Sequence, residues 1–155
     1  MAMSPRVRRL FLTAHVVASV GWLGAVVSFL VLALVGLRAD SEYARATYVA
    51  MDLTGWYVLV PFAAAAATGL VQALGTTWGL FRHYWVVIKL VITVLATVVL
   101  LLHMRPVSYL GALAAADPFN PTDLRGVRVQ LAFDAAAAIV ALVVATVLSI
   151  YKPQG

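Results

Sequence analysis

Four ionisable side chains stand inside otherwise apolar runs of this sequence: His15, Lys89, His103 and Asp134, with Trp22 and Trp85 close to two of them. Each residue type suggests a chemistry. A neutral imidazole binds iron and other metals, so His15 and His103 are candidate metal ligands. A lysine at the centre of a bilayer-length helix costs about 2.5–3.5 kcal/mol on insertion scales, so Lys89 calls for a partner or a task. That task would be catalytic, or the binding of a cofactor's acid group. Asp134 is equally unusual and is a candidate catalytic proton relay. Trp22 and Trp85 would supply apolar walls to a cofactor pocket.

Plainer roles exist for all four. His15 would serve as a packing histidine bonded to a carbonyl or to Ser19. Lys89 would snorkel to the nearer interface, and His103 would be wetted at the other. Asp134 would bond Gln130 or a threonine of the preceding span.

The elements that must position these residues are four apolar stretches, at about 11–37, 56–74, 84–103 and 127–150. Each meets the roughly 20 residues needed to cross a hydrocarbon core of about 30 Å. The fold class expected is therefore all-α, an integral membrane four-helix up-down bundle forming one domain over residues 1–155. Glu42 to Asp52 is expected to be helical and to run into the second span. Pro61 is expected to kink that span. A short separate helix is expected from Ser108 to Ala116.

Sorted at 100° per residue, each span has one stripe of polar or small residues. These stripes are His15, Ser19, Trp22 and Val26; Tyr57, Pro61, Ala65, Thr68 and Gln72; Trp85, Lys89, Thr93, Ala96, Thr97 and His103; and Gln130, Asp134, Ala138, Ala141 and Ala145. His83 falls outside its stripe, in the turn. Helices in lipid associate through small residues and interhelical hydrogen bonds, so these stripes are expected to face the interior. Gly21, Gly24 and Ser28 form a second small-residue face on the first span, suited to packing in the bundle or across a homodimer.

Depth divides the polar residues into two levels. His15 lies six residues inside Arg9 and Lys89 six inside His83. At about 1.5 Å per residue both sit about 9 Å below one edge. Asp134 is as far below the opposite edge, and shares that half with His103.

The composition agrees with a membrane assignment: 64% of residues are hydrophobic and 11% charged, against about 25% charged in soluble domains. Without cysteine there is no disulfide and no thiolate chemistry. The basic residues lie at span ends instead of forming a patch, which excludes nucleic acid as a partner. Arg6, Arg8, Arg9, Arg82 and Lys152 on one side balance Arg38, Arg45, Arg105, Arg125 and Arg128 on the other. The cluster abutting the first span breaks the tie and puts both termini in the cytoplasm.

His15-x6-Trp22-x-Gly24, followed by Trp85-x3-Lys89-Leu90 and then His103, resembles a group of small four-helix bacterial membrane proteins. The group takes in the DUF2269 and CopD-like proteins and the HemJ-type protoporphyrinogen oxidases. The resemblance covers the first and third spans, less than half of the chain. It implies a bacterial cytoplasmic membrane location and a bundle that holds haem b, with functional roles at His15 and Lys89. After Gly24 the chain reads Ala-Val-Val-Ser-Phe-Leu-Val-Leu, without the Pro-Arg-Leu and Tyr-His elements of the HemJ-type enzymes. The bundle and its cofactor site are therefore what carries over, ahead of the oxidase activity.

The function expected is redox or porphyrin-related chemistry at an intrabundle haem b, bound by His15, Trp22, Trp85, Lys89 and His103, in a possible haem-dependent oxidoreductase. One alternative is a transporter or ion-conducting protein with Lys89, Asp134, Gln72 and Thr93 along its path. Another is a structural or partner subunit in the bilayer.

Overall fold

The computed structural model describes residues 4–38, 41–66, 69, 84–116 and 124–151. All its elements are helical. Helix α1 runs Pro5–Arg38; α2 (Ser41–Thr54) continues through a π-helical turn (Gly55–Leu59) into α3 (Val60–Ala66); α4 is Tyr84–Ala115 and α5 is Arg125–Tyr151. With α2 and α3 taken as one rod, there are four helices long and apolar enough to cross a membrane. Thr68, Gln72 and His83 lie outside the described residues, and of Trp85 only the backbone, within α4, is described.

Two expectations about these elements need correction. The third span does not stop at His103 to leave a separate helix from Ser108; α4 is continuous through Pro106 to Ala115. A proline removes one helical N–H and crowds the carbonyl four residues back. Packing compensates here: Met104, Val107, Leu110 and Ala114, on both sides of the proline, are buried with Ala44, Tyr48 and Met51 of α2.

The second correction concerns the interior face of the second rod. Tyr57 is 77% exposed and Pro61 is exposed, while Leu59, Ala63 and Ala66 are buried. The stripe marked by polar and small residues is not the one that packs: Leu59, Ala63 and Ala66 lie at helical spacing on the opposite side and enter the core. A π-helical turn directly before Pro61, where Val60 N–H donates to the Gly55 carbonyl, changes the phase between α2 and α3.

The core runs along Trp22, Val26, Phe29 and Ala33 of α1, the α2–α4 contact, and Leu131, Ala135 and Leu142 of α5. It lies mainly towards the Arg38 end of the molecule. Between residues 87 and 103 no described residue of α4 is buried. The outer surface is apolar, with Val20, Phe133 and Val140 each more than 60% exposed. Hydroxyls on the helices turn back on their own backbone: Ser28 donates to the Gly24 carbonyl, Thr97 to Thr93, Thr146 to Leu142 and Ser149 to Ala145. Such bonds satisfy a hydroxyl where no water competes.

Glycine permits two close approaches. A Cβ on Gly21 would overlap the Phe62 ring, and one on Gly36 would lie 2.8 Å from Tyr48 Cζ. The Gly21 portion of the small-residue face is thus filled from within the chain. Gly24 has nothing near it, and Ser28 is exposed.

Candidate functional site

The described residues enclose a cavity of about 380 Å³ between α1, the π-helical turn, α4 and α5. Its origin is legible residue by residue. On α5 the lining beyond Leu131 and Asp134 is all alanine, Ala135, Ala137, Ala138 and Ala141, whose short side chains leave space. Trp22 and Phe29 of α1 form the back wall, and Leu59 is turned into it from the π-helical turn. Among the described residues, His103 and Asp134 are the only ionisable side chains in the lining. Leu95 and Val99 on α4 and Ala137 on α5 both line the cavity and are exposed, so it opens between these helices on the outer surface.

His103 and Asp134 form one unit. Nδ1 of His103 lies 2.7 Å from the Val99 carbonyl oxygen, which can only accept, so Nδ1 carries a proton and donates it. Nε2 of the same ring lies 2.7 Å from Oδ2 of Asp134. Two bare lone pairs would repel at that separation, so the gap holds a proton. It belongs either to an imidazolium facing a carboxylate or to a carboxylic acid facing an imidazole. The contact is short, and Oδ2 is buried beside the ring. Gln130, one turn before Asp134, brings its carboxamide nitrogen to 3.3 Å from the same Nε2. The wall therefore offers one shared proton and one carboxyl group.

His15 and Lys89 lie at a different level and do not line this cavity. The His15 ring packs on Gly69, where a Cβ would stand 2.5 Å from Cε1 and 2.9 Å from Nδ1. The ring is hydrogen-bonded to the Ala66 backbone, and Lys89 is close enough to act on it electrostatically. Nδ1 of His15 is buried with no hydrogen-bond partner. Of the expected site residues, Trp22, His103 and Asp134 thus meet around the cavity, and His15 and Lys89 meet elsewhere.

Sequence reasoning passed over three polar anchors at the Arg38 end. Arg128 is 4% exposed; its guanidinium donates to the Tyr48 hydroxyl and the Gly36 carbonyl and lies 5.1 Å from the Tyr48 ring centroid. Arg45 donates to the carbonyls of Ala114 and Ala115 at 2.6 and 3.1 Å. Both cations thus sit at a helix C-terminus, where the dipole and the unpaired carbonyls favour them. The third anchor is a chain in which the Trp56 indole donates to Ser108 at 2.8 Å and Ser108 donates to Asp52 at 2.6 Å. The available signal was only the residue type, since arginines near span ends read first as topology determinants.

For a metal or haem the donor set is thin. Among the described residues no three His, Asp or Glu side chains converge. Both nitrogens of His103 are engaged, by Val99 on one side and by Asp134 and Gln130 on the other, leaving none for an axial bond. Nδ1 of His15 makes no hydrogen bond but is buried, with the ring packed on Gly69. No protein-family model matches the chain, and neither does any curated protein or solved structure.

Proposed function

We propose that this chain is a multi-pass protein of the bacterial cytoplasmic membrane, an up-down four-helix bundle with both termini in the cytoplasm. Its function is to bind a lipophilic small molecule in the cavity and exchange a proton with it through His103 and Asp134. The supporting observation is the cavity itself. At about 380 Å³ it falls within the range of small-molecule sites, about 300–1,000 Å³, which are mostly apolar with a few convergent polar groups. An opening between α4 and α5 would face lipid, so the ligand enters sideways from the bilayer.

The test uses purified protein in lipid nanodiscs. Lipophilic ketones and alcohols are expected to raise its unfolding temperature saturably, and Ala138→Leu, which fills the cavity, is expected to abolish that response. No saturable response in the wild type would sink the proposal.

A second reading is favoured by His15 and Lys89 meeting at one level, with Nδ1 of His15 making no hydrogen bond. Haem b held there would be ligated by His15 once the ring turned from Gly69, with Lys89 as the cation for an acid group. The cofactor would supply the electron chemistry. The resemblance in the first and third spans points the same way. A Soret band after haem-replete expression, lost in His15→Ala, would support it; colourless protein would exclude it.

A further inference from the structure

We infer that the ligand of the His103–Asp134 cavity is a lipid-soluble quinone and its quinol. This rests on the cavity being a ligand site, and narrows the ligand by four features of the wall.

The first is charge. Whichever atom holds the shared proton, His103 and Asp134 together carry no net charge, and no lysine or arginine lines the cavity among the described residues. A phosphate or carboxylate head would find no cation, and an ammonium head would find Asp134 already matched. The ligand's polar group is therefore neutral.

The second is depth. Asp134 lies six residues along α5 from Arg128, about 9 Å further along the axis. Lipids whose polar heads are held at the interface do not bring those heads to this level. A molecule whose oxygens travel within the hydrocarbon does.

The third is the hydrogen-bonding character of the pair. The Asp134 side chain is 25% exposed and lines the cavity, so its carboxyl group can accept from a ligand hydroxyl. The proton it shares with His103 makes the same pair a donor for a ligand carbonyl. One wall thus accepts from a hydroxyl and donates to a carbonyl, the two forms in which a quinol and a quinone present the same oxygen. Simple alcohols or ketones would use half of this capacity.

The fourth is shape. Trp22 and Phe29 put two aromatic rings into a lining that is otherwise aliphatic apart from His103, Asp134 and Met104, an environment suited to a planar ring. The opening past Leu95, Val99 and Ala137 lets an apolar tail trail into the bilayer.

The experiment compares decylubiquinone, its quinol and 1-phenyldecane on wild-type protein and on Asp134→Asn in nanodiscs, with empty nanodiscs as the partition control. Binding is read as saturable stabilisation against heat. Both decylubiquinone forms are expected to bind wild-type protein about tenfold or more tighter than 1-phenyldecane, the scale of one hydrogen bond to a charged group. Asp134→Asn is expected to lose that preference for the quinol while binding 1-phenyldecane unchanged. Equal affinity for all three ligands, or an undiminished quinol preference in the variant, overturns the quinone assignment and leaves the cavity as a ligand site. Binding of none of them overturns both.

Discussion

Nε2 of His103 and Oδ2 of Asp134 stand 2.7 Å apart, and the other ring nitrogen is committed to the Val99 carbonyl. The pair consequently works as a unit: removing either member strands the other in an apolar wall. His103→Ala leaves a carboxyl facing alanines and is expected to cost about 1–3 kcal/mol, the usual penalty for a buried polar group without its partner. Asp134→Asn is expected to cost less, because a carboxamide N–H can donate to Nε2. Unfolding in mixed micelles measures both. Equal losses would show that a carboxamide N–H does not replace the shared proton.

The alanines facing the cavity leave volume that stability alone would fill. Ala138→Leu is expected to leave the ligand-free protein as stable as the wild type or up to about 2 kcal/mol more stable, as cavity-filling changes commonly do. The same change removes the ligand response. A clear loss of stability in the ligand-free protein would mean that the space is not open to a leucine side chain.

Two glycines report whether their neighbours can yield. At Gly55 an added Cβ meets Cε and Sδ of Met104, the far end of a flexible chain. At Gly36 it meets the Tyr48 phenol, which Arg128 holds by a hydrogen bond. Gly36→Ala is therefore expected to destabilise by about 1–3 kcal/mol, the range for overpacking. Gly55→Ala is expected to be close to neutral, since alanine's helix preference of about 1 kcal/mol offsets the adjustment. Thermal unfolding of the two variants side by side distinguishes them; equal shifts would refute the contrast.

Orientation follows from which arginines are free to set it. Arg45 and Arg128 cap helix ends inside the protein. Discounting them changes the basic residues from five on each side to five against three. The majority lies with the termini, so the positive-inside rule makes the cytoplasm their expected side. With no native cysteine, Ser4→Cys is expected to resist a membrane-impermeant maleimide in intact cells, and Arg125→Cys to react. The reverse pattern would invert the topology.

The four helices were legible in the sequence because an apolar run of hydrocarbon length rarely forms anything but a helix that crosses a bilayer. The wall of the cavity was partly legible too: Gln130, Asp134, Ala138 and Ala141 share one face of α5 at helical spacing, and in the structure they meet His103 or line the space. The interior face of the second rod was not legible from polarity, because the side that packs there is the apolar one, Leu59, Ala63 and Ala66. Pro106 misled in the opposite direction, since a helix break is only one of the ways a proline is accommodated. The arginine caps were invisible for a different reason. Their partners are backbone carbonyls, which every residue has, so no side-chain pattern marks them.

The anchoring of Arg128 also bears on the order in which the protein can be assembled. Its acceptor at Gly36 lies 92 residues earlier and its partner Tyr48 lies 80 residues earlier. During synthesis the carbonyl and the phenol are therefore made long before Arg128, the donor that only the last helix carries. A chain interrupted before α5 is not a smaller version of the finished protein. It is an unlatched one, with polar atoms that mark it as incomplete until Arg128 arrives.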